Sequence, residues 1–257
     1  MIFLNYLLLA LVCAIGTWFL TALGSCCVFF FKKVNDKVLN MMLGFSSGIM
    51  ISASFFSLLA PAVEMATELP WLIASLGFLS GGVTLILCDM LLIKMHKSKS
   101  FTNSKKRCAM LVTSITLHNI PEGLVIGVAF GALKNQSITL NNIIMPLSIA
   151  IAIGLQNFPE GAAVSIPLRR EGFSPFKSFF YGQLSGMVEP IASFLGALLV
   201  GFFSPILPFA LSFAAGAMIF VVLKELVPES EKDGGYFASL GALLGFTTMM
   251  MLDVALG

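Results

Sequence analysis

Two short stretches of the chain carry side chains that bind metal ions, and both follow one pattern. His-Asn-Ile-Pro-Glu-Gly occupies positions 118–123, and Gln-Asn-Phe-Pro-Glu-Gly occupies positions 156–161. Imidazole, amide and carboxylate groups without sulfur suit Zn²⁺, and also Fe²⁺, Mn²⁺ or Cd²⁺, better than Cu⁺. The two stretches therefore predict a site for a divalent metal ion.

Helical geometry predicts how these side chains share the metal. Successive residues of an α-helix lie about 100° apart around its axis, so Glu122 falls between His118 and Asn119 on the helix surface. Two such helices facing each other would form two adjacent sites with shared glutamates. The first site is expected to contain His118, Glu122, Gln156 and Glu160. The second is expected to contain Asn119, Asn157, the same two glutamates and Glu189.

The composition indicates that these helices lie in a membrane. Hydrophobic residues make up 58% of the 257 residues and charged residues 11%, whereas a soluble domain is about 25% charged. Such a chain cannot cover itself with a polar surface, and we interpret residues 1–257 as a single transmembrane transporter domain. A spanning helix needs about 20 mostly apolar residues. Eight segments meet this requirement: roughly 2–31, 38–63, 70–93, 108–133, 143–167, 175–203, 206–227 and 235–256.

The basic residues predict the orientation of these spans. Of the 15 lysines and arginines, all except Lys134 follow spans one, three, five or seven. Cytoplasmic loops carry an excess of such residues, so these loops, including the one at about 94–107, are predicted to be cytoplasmic. Both termini are then extracytoplasmic, and the expected location is the inner or plasma membrane of the cell.

An internal echo suggests an inverted repeat. Leu-Gly-Phe-Ser-Ser-Gly-Ile-Met at 43–50 in span two resembles Leu-Ser-Phe-Ala-Ala-Gly-Ala-Met at 211–218 in span seven, which runs the opposite way. The twin Pro-Glu-Gly motifs also lie on oppositely directed spans. We therefore predict an all-α membrane fold in which spans 1–3 repeat as spans 6–8, with spans 4–5 at the pseudo-twofold axis. Transporters place their sites at such repeat interfaces; chance similarity of Gly/Ala-rich helices is the alternative.

Three carboxylates fall near the middle of predicted spans, where a charge is costly. They are Glu122, Glu160 and Glu189, and no lysine or arginine lies at that depth in any span. A bound cation would compensate them; three protonated glutamates hydrogen-bonded in a dry bundle are the alternative. Pro121 and Pro159 lack the N–H that a helix needs, so we expect kinks that leave carbonyl oxygens free beside the carboxylates.

These motifs resemble the ZIP (ZRT/IRT-like protein) family of zinc and related metal transporters, particularly its bacterial GufA-like branch. The resemblance covers nearly the whole chain and includes Gly-Gln-Leu-Ser-Gly-Met-Val-Glu-Pro at 182–190. It implies a homodimer that carries Zn²⁺, as substrate, into the cytoplasm through a binuclear site. It also implies that Met50 lies near that site, that Glu64 and Asp253 lie at the outer entrance, and that Glu225 lies in the exit path.

The same residues permit plainer interpretations. Met50 could be simple packing, and Glu64 and Asp253 could be solvated at span ends. Some relatives have aspartate in place of Asn157, so the second site here carries less negative charge. The lone loop histidine, His96, stands among lysines and is expected to be solvated.

Two other classes of protein also bind metal ions within a membrane. A membrane metalloenzyme would usually hold zinc with three ligands such as His₃ or His₂Glu, but the chain has 2 histidines and no His-Glu-x-x-His motif. We therefore predict that it is not an enzyme. A metal-stabilised structural or sensor protein would bind metal without flux. The expected partners are the metal ion, the lipid bilayer and a second copy of the chain, and no nucleic acid.

Overall fold

The chain folds as a set of helices, described here from a computed structural model. The structure describes residues 2–30, 35–97, 103–134, 136–202, 206–231 and 235–256, and every regular element in these ranges is helical. The α-helices are α1 Ile2–Ser25, α2 Cys27–Phe30, α3 Asp36–Ala53, α4 Ala60–Met65, α5 Pro70–Lys97, α6 Asn103–Gly131, α7 Leu140–Arg170, α8 Pro175–Gly186, α9 Val188–Phe202, α10 Leu207–Val221, α11 Val227–Ser230 and α12 Tyr236–Leu256.

Seven helical stretches are long and apolar enough to cross a membrane, which confirms a multi-pass membrane protein. They are Tyr6–Phe30, Asp36–Met65, Pro70–Leu91, Leu140–Arg170, Pro175–Val200, Leu207–Ser230 and Tyr236–Ala255. The predicted fourth span corresponds to a shorter apolar stretch, Ile115–Gly131, within α6. The prediction of an all-helical membrane fold is thus confirmed, and the count of eight crossings stays a prediction.

Local sequence explains where several helices begin. The Asn35 side chain accepts a hydrogen bond from the Lys37 backbone at the start of α3, and Thr139 forms a capping box with Asn142 at the start of α7. Asparagine and threonine at these positions satisfy N–H groups that the first turn leaves free. These caps fix the ends of two helices that reach the candidate site.

The predicted sixth span is broken in the structure. α8 ends at Gly186 and α9 begins at Val188, with Met187 between them. Pro190 lies in the first turn of α9 and has no N–H to donate to the Gly186 carbonyl, so this α-helical hydrogen bond is missing at the break. The break places Glu189 in the first turn of α9. In contrast, α6 and α7 continue through Pro121 and Pro159 as single helices.

Four helix pairs make the most extensive contacts: α1 with α7, α3 with α12, α5 with α10, and α6 with α9. Glycines let their backbones approach closely. Gly44 and Gly48 of α3 face the backbones of Ala238 and Ala242 of α12, where an added Cβ would collide. Residue numbers increase in the same direction along both helices at these contacts, so the two helices are parallel. The same holds for Gly127 and Gly131 against Ser193 and Ala197, and for Gly77 and Gly81 against Phe209 and Phe213. α1 and α7 are also parallel, because Thr17 contacts Asn157 and Ser25 contacts Gly161 through hydrogen bonds.

The helices form two groups. We call α1, α6, α7, α8 and α9 the first bundle, and α3, α5, α10 and α12, with the short helical segments that follow α3 and α10, the second bundle, because most contacts between helices fall within one set or the other. The two bundles meet mainly where α3 lies against α7 and α10 lies against α6. The candidate ligands on α6, α7 and α9 therefore all belong to the first bundle.

Helices α3 and α10 share an irregularity that the sequence echo did not predict. Each is followed by a π-helical segment, Ser54–Leu59 and Val222–Leu226, and each segment leads into a helix with proline in its first turn. The two segments begin at equivalent distances from the echoed motifs at 43–50 and 211–218. Single π-helical turns are rare and occur frequently at functional sites.

Candidate metal centre

Side chains from three helices of the first bundle form a buried polar cluster. Six predicted ligands have described side chains, each at most 1% exposed: Asn119, Glu122, Gln156, Asn157, Glu160 and Glu189. We call these six side chains the polar cluster. The seventh predicted ligand, His118, belongs to α6, but its side chain lies outside the described residues.

Glu122 and Gln156 join α6 to α7, as the first predicted site requires. The Gln156 Nε2 donates a hydrogen bond of 2.5 Å to the Glu122 Oε1. Glu160 lies one turn after Gln156 on α7, and its Oε1 accepts a 3.1 Å hydrogen bond from the Ser46 hydroxyl of α3. This bond brings the second bundle to the edge of the cluster.

Asn157 and Glu189 join α7 to α9, as the second predicted site requires. The Asn157 Nδ2 lies 2.9 Å and 2.8 Å from the two carboxylate oxygens of Glu189. The Thr17 hydroxyl of α1 also donates to Glu189, at 2.5 Å from its Oε2. Asn119 is turned toward α8, because its Nδ2 donates to the Ser185 carbonyl at 2.9 Å.

The cluster contains more acceptors than donors. Four of its buried oxygens accept no hydrogen bond from any described residue: Asn119 Oδ1, Glu122 Oε2, Gln156 Oε1 and Asn157 Oδ1. A buried polar atom without a partner is costly. Carboxylate and amide oxygens are also ligands for divalent cations. The surplus of acceptors therefore fits a bound cation.

The amide groups are essential to this donor set. Among the described side chains, no three His, Cys, Asp or Glu groups form a cluster that could hold a metal by themselves. The described part of the chain also buries no lysine or arginine that could neutralise the three glutamates. Among the described side chains, a cation at this cluster would thus contact carboxylate and amide oxygens.

The four residues that the family resemblance assigned to the transport pathway lie in varied surroundings. Met50 is fully buried, one turn beyond Ser46 on α3. Asp253 is partly buried and accepts a 2.7 Å hydrogen bond from Ser57 through its Oδ1. Glu64 is exposed in α4, and Glu225 is partly exposed in the π-helical segment Val222–Leu226.

Two contacts of the cluster escaped the sequence analysis. Thr17 and Ser46 are hydroxyl residues in predicted spans that carry no metal-binding motif. Ser46 does lie within the echoed stretch 43–50, which was the available signal for it. For Thr17 the signal was weaker, since it is one of a few polar residues in an apolar span.

The helices and the buried cluster place this chain among polytopic membrane proteins with a polar interior. The profile of the ZIP Zinc transporter family matches residues 92–253, and the chain belongs to this family. It is 36% identical to human zinc transporter ZIP11, with 94% of this chain and 95% of ZIP11 covered. It is 34% identical to zinc transporter GufA of Myxococcus xanthus, with 92% of this chain and 94% of GufA covered. It is 32% identical to zinc transporter ZupT of Clostridium perfringens, with 98% and 97% covered.

These similarities confirm the family resemblance seen in the motifs, including its GufA-like character. The members are transporters rather than enzymes, so the metalloenzyme alternative is set aside.

Proposed function

We propose that this protein carries Zn²⁺, or a similar divalent ion, across a cell membrane into the cytoplasm. Its relatives ZIP11, GufA and ZupT are named zinc transporters. The surplus of buried acceptor oxygens in the polar cluster carries the proposal, because a cation would supply the partner that these atoms do not find among the described residues. Zn²⁺ is the transported substrate here, not a resident cofactor.

The cluster is proposed to form a binuclear site, with one metal position in each of two adjoining halves. Glu122, Gln156 and Glu160 form the first half, and His118 on the preceding turn of α6 would complete it. Asn119, Asn157 and Glu189 form the second half, with the two motif glutamates shared between them. The Gln156–Glu122 and Asn157–Glu189 hydrogen bonds support this division, since each joins helices that the corresponding half must bring together.

The parallel helix pairs support eight crossings. α1 and α7 pack in parallel, which requires an odd number of crossings between them. α3 and α5 supply two, so α6 must supply the third. An inverted repeat relates spans 1–3 to spans 6–8, and span 4 to span 5. It therefore relates the pair α1–α7 to the pair α6–α9, and the pair α3–α12 to the pair α5–α10. The proposed inverted repeat accounts for these pairings and for both π-helical segments.

Transport is proposed to occur by a rigid-body shift of one bundle against the other. The ion would enter past Glu64 and Asp253, bind between α6 and α7 near Met50, and leave past Glu225. In this proposal both termini are extracytoplasmic, the loop at about 94–107 is cytoplasmic, and the protein is a homodimer in the plasma or inner membrane. Keeping all the ligands on one bundle allows the site to move as a unit.

Zinc flux into liposomes that contain the purified protein tests the function. We expect uptake by the wild type, reported by an internal fluorescent indicator, and no uptake by empty liposomes. Glu122→Ala and His118→Ala should each abolish it, while Thr247→Val on the exposed face of α12 should not change it. Normal uptake in both cluster variants would refute the site. Binding of zinc without flux would instead indicate a structural or sensor protein.

A further inference from the structure

Thr17 of α1 contacts two side chains in the second half of the cluster, Asn157 and Glu189. Its hydroxyl lies 2.5 Å from the Glu189 Oε2, and its backbone carbonyl accepts a 3.2 Å hydrogen bond from the Asn157 Nδ2. The side chain is 3% exposed and also lies 3.0 Å from the Ala14 carbonyl. One residue outside the metal-binding motifs thus joins α1 to α7 and α9.

The packing of α1 fixes where this hydroxyl lies. An added Cβ at Gly161 of α7 would collide with the backbone of Thr21, and one at Gly24 of α1 would collide with the backbone of Phe158. Gly186 at the end of α8 lies against the Thr21 side chain in the same way. Because these glycines hold the backbones in contact, α1 cannot shift without opening the interface, and Thr17 stays beside Glu189.

The Thr17 carbonyl, as an acceptor, also helps to determine which end of the Asn157 amide faces the cluster. The Asn157 Nδ2 has acceptors on two sides, the Thr17 carbonyl and the Glu189 carboxylate. Turning the amide over would place its oxygen against both of these acceptors. The nitrogen is therefore held toward α1 and α9, which leaves the Asn157 Oδ1 as a buried acceptor without a donor among the described residues.

Glu189 depends on such donors for its orientation. It lies in the first turn of α9 and is fully buried, so bulk water cannot orient its carboxylate. The Thr17 hydroxyl donates to Oε2, and the Asn157 Nδ2 lies within hydrogen-bond distance of both oxygens.

We infer that Thr17 is a positioning residue of the metal centre: its hydroxyl orients the Glu189 carboxylate and its carbonyl orients the Asn157 amide before the ion binds. This inference rests on the proposed function. Thr17 acts through these two side chains, and its hydroxyl does not have to touch the ion. Its loss should therefore weaken capture of the ion more than it slows the movement of the loaded carrier.

Zinc uptake by liposomes containing Thr17→Val, a variant of nearly the same shape without the hydroxyl, tests the inference. We expect KM for zinc to rise about fivefold or more, since the Glu189 carboxyl group loses a buried hydrogen bond, while kcat stays within about twofold. Thr17→Ser keeps a hydroxyl and should restore KM to within about twofold. The matched control Thr247→Val removes an exposed hydroxyl of α12 and should behave as the wild type.

A double-mutant cycle separates positioning from general packing. If Thr17 acts through Glu189, Thr17→Val should add nothing to the KM of Glu189→Gln, whereas independent effects would multiply. Multiplying effects, an unchanged KM in Thr17→Val, or equal losses of kcat in the Val and Ser variants would each overturn the inference. Thr17→Ala replaces the valine variant if that variant is not recovered as a monodisperse protein. A wild type that carries no zinc would instead refute the proposed function.

Discussion

At the scale of single residues, the proposed metal centre would hold an ion loosely. Gln156 gives one side of its amide to Glu122 and keeps its Oε1 without a donor among the described residues. The Asn157 Nδ2 likewise donates to Glu189, while the Asn157 Oδ1 accepts no hydrogen bond from a described residue. Neutral amide oxygens bind divalent ions more weakly than the Cys and His ligands of structural zinc sites. Weak ligands suit a carrier, because the ion must also leave.

Replacing the Gln156 amide by imidazole should raise the affinity for zinc and slow its release. We expect Gln156→His to lower KM for zinc and to lower kcat by about tenfold, because imidazole is a better zinc ligand than an amide oxygen. Initial rates of uptake over a range of zinc concentrations would measure both constants. Gln136→His makes the same change at an exposed position and should leave both constants unchanged. An unchanged kcat in Gln156→His would contradict a role of this amide in release.

Residue types and helical spacing predicted that polar side chains of α6 and α7 face each other, because within each helix these residues lie about one turn apart. The same spacing could not predict Thr17 and Ser46. Their partners Glu189 and Glu160 lie far along the chain, and a lone hydroxyl in an apolar span has no local pattern. Only the packing of α1 against α7, and of α3 against α7, brings these groups to the cluster.

At the scale of helices, glycine positions determine how closely the spans approach. Hydropathy located the spans but could not show which spans pair, since it measures composition and not shape. It also missed the break at Met187, although Pro190 was visible in the sequence. The glycine contacts identify which helices pack in parallel, and the number of apolar residues in a span carries no such information. The helices themselves were therefore predictable, and their partners were not.

Gly48 offers a direct test of this packing. A Cβ at this position would lie 2.6 Å from the Phe246 backbone nitrogen of α12 and closer still to the Ala242 carbonyl, whereas Gly16 of α1 has nothing within 4 Å of an added Cβ. Gly48→Ala should destabilise the protein by about 1–3 kcal/mol through overpacking. Gly16→Ala should be neutral or slightly stabilising, because alanine is the better helix former.

Thermal unfolding in detergent, followed by size-exclusion chromatography, would measure both glycine variants. The predicted signs are opposite, so general intolerance of the membrane domain to substitution cannot explain the expected result. Equal melting temperatures for the two variants would show that α3 and α12 do not depend on this close contact.

At the scale of the whole molecule, the two bundles are joined by few polar contacts among the described residues. Inside, Ser46 of the second bundle donates to Glu160 of the first. At the surface, Arg170 at the end of α7 forms an ion pair with Asp36 at the start of α3. Both partners of that pair are about half exposed, and exposed pairs contribute only about 0–1 kcal/mol. Such weak links allow one bundle to shift against the other.

A reversible cross-link between the bundles tests this motion. Cysteines in place of Asp36 and Arg170 would lie on different bundles, and a cleavable bifunctional thiosulfonate joining them should stop zinc uptake until a reductant cleaves it. Cysteines in place of Lys37 and Phe237, whose side chains meet at 5.5 Å between α3 and α12, join two helices of the second bundle. Cross-linking that pair should leave uptake unchanged, and single-cysteine variants control for the native cysteines. If the Asp36–Arg170 cross-link forms and uptake continues at the original rate, the bundles do not move apart along this contact during transport.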